Sequence, residues 1–122
     1  MPIQYEVART PGGHAIYRTE STGEVTQANA QEYREKVLGP ARGELPLLTV
    51  TRRGVEMSAA ARKELSSISA DKDDPRPAAF VVESAPMRVT MSFIFKVIGY
   101  EPKLFATEPE ALRYLDEQLT AR

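Results

Sequence analysis

The chain has 122 residues, with 16 Lys and Arg against 17 Asp and Glu and no cysteine. This length predicts one domain over residues 1–122, and a net charge of −1 argues against nucleic-acid binding. The lack of cysteine excludes disulfides, a thiolate nucleophile and a cysteine metal site. No apolar run reaches the ~18 residues of a transmembrane segment, and the start lacks a signal-peptide pattern, so we expect a cytoplasmic protein.

The first forty residues predict a hairpin followed by a helix. Ile3–Val7 and His14–Glu20 alternate apolar and polar residues around a Pro-Gly-Gly turn at residues 11–13. This pattern is typical of two half-buried strands joined by a loop. Thr26 then suits a helix N-cap, and Gly39-Pro40 ends that helix.

The middle of the chain predicts two buried strands. Leu45–Val50 is almost entirely apolar, which indicates a central strand covered on both faces, with Pro46 at its start. Residues 52–54 form a loop, and Ser58 caps the next helix. Ala78–Glu83 is the second buried strand.

The last third predicts two more helices and a short strand. Ser84 caps a helix that runs to about Ile98, with Pro86 in its first turn. Lys103–Phe105 is a short strand, and Thr107 with Glu110 forms a capping box before the final helix. The order β-β-α-β-α-β-α-β-α predicts an α/β fold: a mixed, mostly parallel sheet of four to five strands flanked by four helices.

Three stretches carry a resemblance to a known family: residues 45–52, residues 79–84 with Arg88, and residues 104–115. Their order and spacing resemble the STAS domain of bacterial anti-sigma-factor antagonists, and most of all its divergent SpoIIAA-like branch. The resemblance implies a single STAS-like domain with a non-enzymatic role in signalling through protein–protein interaction. It also implies an architecture related to CRAL-TRIO lipid-binding domains.

The same resemblance points to Ser58 as a candidate phosphosite. In the antagonists, a kinase partner phosphorylates a Ser at the start of the helix that follows the central strand. Ser58 falls near that position, within residues 54–60. The Asp that precedes the family's Ser and the Gly that follows it are absent here.

The residues give no support for an enzyme, a metal or a cofactor. His14 is the only histidine and falls in the predicted turn, where solvation explains it. The chain has no nucleophile elbow, phosphate-binding loop or zinc-protease motif. The acidic pair Asp116-Glu117 lies on a helix face and is expected to be solvated. We therefore predict no catalytic residues and no metal ligands.

A candidate anion site is predicted at the carboxyl ends of the parallel strands, where ligands bind in open α/β sheets. Helix N-termini carry free amides and a partial positive charge. Three helix starts and three arginines should meet at this edge: Ser58, Ser84, Thr107, Arg52, Arg53 and Arg88.

The helix over residues 87–98 is apolar on nearly all sides. Helical spacing assigns Met87, Met91, Ile94 and Ile98 to the core and leaves Val89, Phe93 and Phe95 as candidate contacts. These three residues could bind a protein partner, including a regulatory kinase, or a second copy in a homodimer. Alternatively, the helix lines a hydrophobic site for a small molecule or lipid, which requires a cavity of at least ~300 Å³.

Overall fold

The computed structural model describes residues 3–36, 45–66, 77–98 and 103–120, with only the backbone described at residues 65, 66, 97 and 98. These ranges contain seven strands and four helices. The strands are β1 (Ile3–Arg9), β2 (Ala15–Ser21), β3 (Glu24–Val25), β4 (Leu47–Thr51), β5 (Glu56–Met57), β6 (Ala78–Val82) and β7 (Lys103–Phe105). The helices are α1 (Gln27–Lys36), α2 (Ala59–Ser66), α3 (Ala85–Ile98) and α4 (Glu108–Thr120).

Five of the strands form one mixed sheet in the order β1-β2-β4-β6-β7. β1 and β2 are an antiparallel hairpin, and every later pair is parallel. All five residues of β4 are buried, because this strand lies in the centre of the sheet and is covered on both faces. The predicted α/β fold and its central strand are therefore confirmed, although β4 begins at Leu47 and Pro46 lies one residue before it, not within it.

Helices cover both faces of the sheet. On one face, Leu47 and Phe80 pack in a cluster with side chains of α1, α2 and α3. On the other face, Leu48 and Val50 pack with Ala111 and Leu115 of α4. This arrangement follows from strand alternation, which sends neighbouring residues of β4 to opposite faces.

Two strands were not predicted. β3 and β5 form a separate parallel ribbon, in which Glu24 pairs with Glu56 and Val25 with Met57. A two-residue strand is too short for an alternation pattern, so the sequence alone does not reveal it. The hairpin strands also end one or two residues beyond their predicted ends, at Arg9 and Ser21. The predicted end of α1 at Gly39-Pro40 lies outside the described residues.

Candidate functional site

Ser58, Ser84 and Thr107 each directly precede a helix, as expected. The Ser58 hydroxyl accepts a hydrogen bond from the Ala61 amide at 3.0 Å, and the Ser84 hydroxyl accepts one from the Met87 amide at 3.4 Å. The Thr107 hydroxyl donates to a carboxylate oxygen of Glu110 at 2.7 Å. Helices α3 and α4 follow β6 and β7 of the main sheet, whereas α2 follows β5 of the ribbon, and the sequence identified all three starts correctly.

A group of interlocked charges, here called the carboxyl-end cluster, lies beside the starts of α3 and α4. It consists of two arginines and four glutamates: Arg18, Arg52, Glu6, Glu20, Glu83 and Glu108. Arg18 and Glu20 come from β2, while Arg52 and Glu83 follow β4 and β6. Glu108 opens α4, so the cluster joins the start of that helix to the ends of three neighbouring strands.

Arg18 is the most enclosed member, with 16% of its side chain exposed. Its guanidinium donates to both carboxylate oxygens of Glu108, at 2.9 and 3.0 Å, and to Glu20 at 2.8 Å. Two parallel bonds to one carboxylate are the strongest arrangement that an arginine can make. Arg52 adds longer contacts to Glu20, Glu83 and Glu108 at 3.2, 3.3 and 3.4 Å.

The charged groups of the cluster shift one another's pKa values. Hydrogen bonds from Arg52 and then Arg18 hold the pKa of Glu20 below its ordinary value. Arg18 does the same for the pKa of Glu108. In return, the bond to Glu108 raises the pKa of Arg18 and the bond to Glu20 raises that of Arg52. All four groups are therefore ionised at neutral pH, and carboxylates outnumber guanidinium groups in the cluster.

The arginines predicted to bind an anion do not form a shared free site. Arg52 is engaged by three carboxylates. Arg88 donates to the backbone carbonyls of Val82 at 2.7 Å and Glu83 at 3.5 Å. Arg53 has an exposed side chain, and its amide donates to the Glu83 carboxylate at 2.8 Å. Acceptors from the protein itself thus occupy the guanidinium groups of Arg52 and Arg88.

Ser58 lies beside the β3–β5 ribbon at the start of α2. Its amide donates to the Val25 carbonyl at 3.2 Å, and its side chain is half-buried. The first turn of α2 contains no acidic residue, so the free amides of that turn have no carboxylate of their own helix nearby. Ser58 is therefore the residue that caps the start of α2, and its role as a phosphosite stays a prediction.

The outer face of α3, defined here by Val89, Phe93 and Lys96, points away from the core. Val89 and Phe93 are each 70% exposed and lie one helical turn apart, so they form a contiguous apolar pair on the surface. Lys96 is exposed as well. The prediction that Val89 and Phe93 lie outside the core is confirmed.

The same prediction is wrong for Phe95. This side chain is only 6% exposed and packs edge-to-face on Phe80, with ring centroids 4.8 Å apart. At 100° per residue, Phe95 lies about 70° from the centre of the assigned core stripe. A face of ~100° extends only about 50° to each side of its centre, so the buried face of α3 is wider than this minimum and includes Phe95. Phe95 therefore belongs to the core and not to a contact surface.

The cavity beside α3 is far smaller than a hydrophobic ligand requires. It has a volume of about 30 Å³, and Met91 is the α3 residue that lines it. Tyr33 and Thr49, which also line it, share a hydrogen bond of 2.7 Å. A larger space of about 830 Å³ is an open groove along α4 near Pro11, with no α3 residue in its lining. Neither of these two spaces is the cavity of ~300 Å³ lined by α3 that a hydrophobic ligand requires.

Sequence reasoning missed the carboxyl-end cluster and one further contact. Strand alternation places Arg18 and Glu20 on the same face of β2 as the buried Ile16. This pattern was the signal in the sequence that could have indicated the carboxyl-end cluster. Asp116, expected to be solvated, instead accepts a hydrogen bond from the Gly12 amide at 3.0 Å and holds the hairpin turn against α4. A side chain at Gly12 would approach that carboxylate to within 2.8 Å.

Two negative findings refer to the described part of the chain alone. It contains no group of three or more histidine or acidic side chains able to hold a metal ion. None of its helices has both the length and the apolar character needed to cross a membrane.

Comparison with known proteins identifies the fold. No known protein family matches the sequence, and neither does any curated protein. A solved structure from Shewanella loihica PV-4, an uncharacterized protein of the DUF3478 family with a SpoIIAA-like fold, has a TM-score of 0.61 at 13% identity and covers 93% of both chains. The chain therefore has a SpoIIAA-like fold, as the resemblance implied.

Proposed function

We propose that this protein is a non-enzymatic, cytoplasmic STAS-like interaction domain that binds a protein partner through the outer face of α3. The observation that carries the proposal is the 70% exposure of both Val89 and Phe93 on a helix whose opposite side is buried. Exposed apolar side chains of this size and proximity are typical of protein contact sites. The SpoIIAA-like fold supports the proposal, since the resemblance implies partner binding.

The charges of α3 indicate the chemistry of the partner. The helix carries Arg88 and Lys96 and no acidic residue. Arg88 is held by backbone carbonyls, which leaves Lys96 exposed at the edge of the apolar pair. A complementary surface would present an apolar centre with a carboxylate at its rim.

Phosphorylation of Ser58 is the proposed regulatory step. A phosphate there would lie at the positive end of α2, whose first turn has no competing carboxylate. It would also replace the hydroxyl that now accepts from the Ala61 amide. The half-buried side chain needs a local adjustment to admit a kinase. Phosphorylation would therefore change the surface at the start of α2, a helix that contacts α3.

Site-specific photocrosslinking tests the contact surface. A photoreactive phenylalanine analogue replaces Phe93, and a control replaces the exposed Glu117 of α4. Illumination in the native cells should yield one discrete protein adduct from position 93 and none from position 117. Adducts from neither position, or equally from both, would contradict the proposal.

Intact-mass measurement tests the regulatory step. The chain purified from its native cells should carry one phosphate that is absent from the Ser58→Ala variant. A phosphate that persists in that variant would assign the modification to another residue. In contrast, the small cavity beside α3 gives no support for the alternative of a hydrophobic ligand.

A further inference from the structure

The two edges of the main sheet differ in how they are protected. β7 has three residues and begins with Lys103, and both features discourage pairing with another chain. β1 has seven residues without lysine or proline, and among the described residues it pairs only with β2. A long edge strand of this kind presents a row of free backbone donors and acceptors.

The hairpin register shows which backbone groups of β1 point outward. The Thr10 amide donates to the His14 carbonyl at 2.9 Å, so these two residues form a hydrogen-bonded pair. Such pairs alternate along an antiparallel ladder. Ala8, Glu6 and Gln4 therefore bond to β2, and the backbone groups of Ile3, Tyr5, Val7 and Arg9 face the open edge.

The side chains of the same strand leave one apolar residue uncovered. Ile3 is 5% exposed and Tyr5 is half-buried, whereas Val7 is 66% exposed. We propose that β1 pairs in an antiparallel direction with β1 of a second copy of this chain, with the twofold axis at Val7. The pairing would join the two five-stranded sheets into one.

Side-chain complementarity selects this register. A twofold at Val7 places Val7 against Val7 of the second copy, Glu6 against Ala8 and Tyr5 against Arg9, so no like charges are directly opposite. A twofold axis at Glu6 would place the Glu6 carboxylates of the two copies directly opposite each other, which is destabilising. A twofold at Tyr5 would place Val7 against Ile3, which its own sheet already buries. The Val7 register therefore covers the exposed side chain without an electrostatic cost.

This proposal is independent of the proposed function. Pairing through β1 uses the sheet edge, whereas the outer face of α3 lies on a helix that packs over a sheet face. Each copy in the dimer would keep Val89 and Phe93 available to a partner.

Cysteine crosslinking tests the register directly, because the chain has no cysteine of its own. Residues in a hydrogen-bonded antiparallel pair have Cα atoms about 5.5 Å apart, within the range that a disulfide spans. Under mild oxidation the Val7→Cys variant should become a covalent dimer, whereas the Phe93→Cys variant, at a similarly exposed position, should not. A covalent dimer from Phe93→Cys but not from Val7→Cys would overturn the proposal in favour of a dimer through α3.

Mass in solution provides the second measurement. Native mass spectrometry and light scattering of the unmodified chain should show a dimer. Val7→Lys should weaken the dimer about tenfold or more, because it replaces an apolar contact by two opposed charges. Phe93→Lys should leave the dimer unchanged. A monomeric wild type, or a dimer that survives Val7→Lys, would overturn the proposal. Failure of photocrosslinking at position 93 would contradict the proposed function and leave this result unaffected.

Discussion

Replacement of Arg18 by Met tests whether the carboxyl-end cluster stabilises the fold. Arg18 binds both oxygens of Glu108 and one oxygen of Glu20. Methionine keeps much of the aliphatic stem but removes every donor and the charge. Glu20 and Glu108 would then share Arg52 as their remaining cation in the cluster, through contacts of 3.2 and 3.4 Å.

The free energy of unfolding that Arg18→Met is expected to lose lies between two limits. Exposed ion pairs contribute about 0–1 kcal/mol, whereas breaking a fully buried pair costs about 3–5 kcal/mol. Arg18 is 16% exposed, and Glu20 and Glu108 are each 24% exposed, so the cluster is partly shielded from water. Arg52 remains to neutralise part of the carboxylate charge. We therefore expect the free energy of unfolding to fall by about 2 kcal/mol at neutral pH, from a typical total of about 5–15 kcal/mol.

The stability lost in Arg18→Met should be smaller at acidic pH than at neutral pH. Pairing lowers the pKa of Glu20 and Glu108 in the folded state. A group with a lowered folded pKa stabilises the fold fully above its unfolded pKa, about 4.3 for glutamate, and loses this contribution as pH falls through the folded pKa. The difference between wild type and Arg18→Met should thus be constant near neutrality and shrink below about pH 4.

Urea unfolding, followed by circular dichroism at a series of pH values, measures this difference. Arg62→Met is the matched control, because Arg62 is an exposed arginine on α2 and its loss should change stability by less than about 0.5 kcal/mol. An Arg18→Met variant as stable as the control would refute the role of the cluster. A difference that stays the same down to acidic pH would show that the effect is not due to ionised glutamates.

Two further predictions concern the core. Phe95→Ala should cost about 3–5 kcal/mol because it empties a buried site against Phe80, whereas Phe93→Ala should cost less than about 0.5 kcal/mol. If chemical denaturation showed that both variants lose a similar free energy of unfolding, the assignment of these two residues to opposite sides of α3 would be contradicted. Tyr33→Phe should cost about 1 kcal/mol by removing its hydrogen bond to Thr49, and Thr49→Val should cost less in that background than alone. Strictly additive losses in this double-mutant cycle would argue against the bond.

The elements of this fold with strong local patterns could be predicted from the sequence. β4 and β6 are runs of apolar residues, and a buried strand in a parallel sheet requires that composition. The start of α2 was evident because Ser58 is a good acceptor for a free amide of the first turn. These features depend on residues that are close in sequence, so one amino-acid sequence is enough to identify them.

The features that were missed depend on contacts between distant residues. Arg18 and Glu108 are 90 positions apart, and only the packing of α4 on the sheet brings them together. Phe95 was misassigned because the width of the buried face of α3 depends on where that helix contacts Phe80. The β3–β5 ribbon exists because two short segments meet, and neither segment has a pattern of its own.

The carboxyl-end cluster also explains why the surface of α3, and not the strand ends, is the better candidate for binding. Ligands of open α/β sheets usually bind outside the carboxyl ends of the strands. In this protein that position holds the carboxylates of Glu20, Glu83 and Glu108 around the guanidinium group of Arg52. An incoming anion would have to displace glutamates from Arg52 and would meet their repulsion. Val89 and Phe93 are each 70% exposed, and within the described ranges no ion pair would have to break for a partner to cover them.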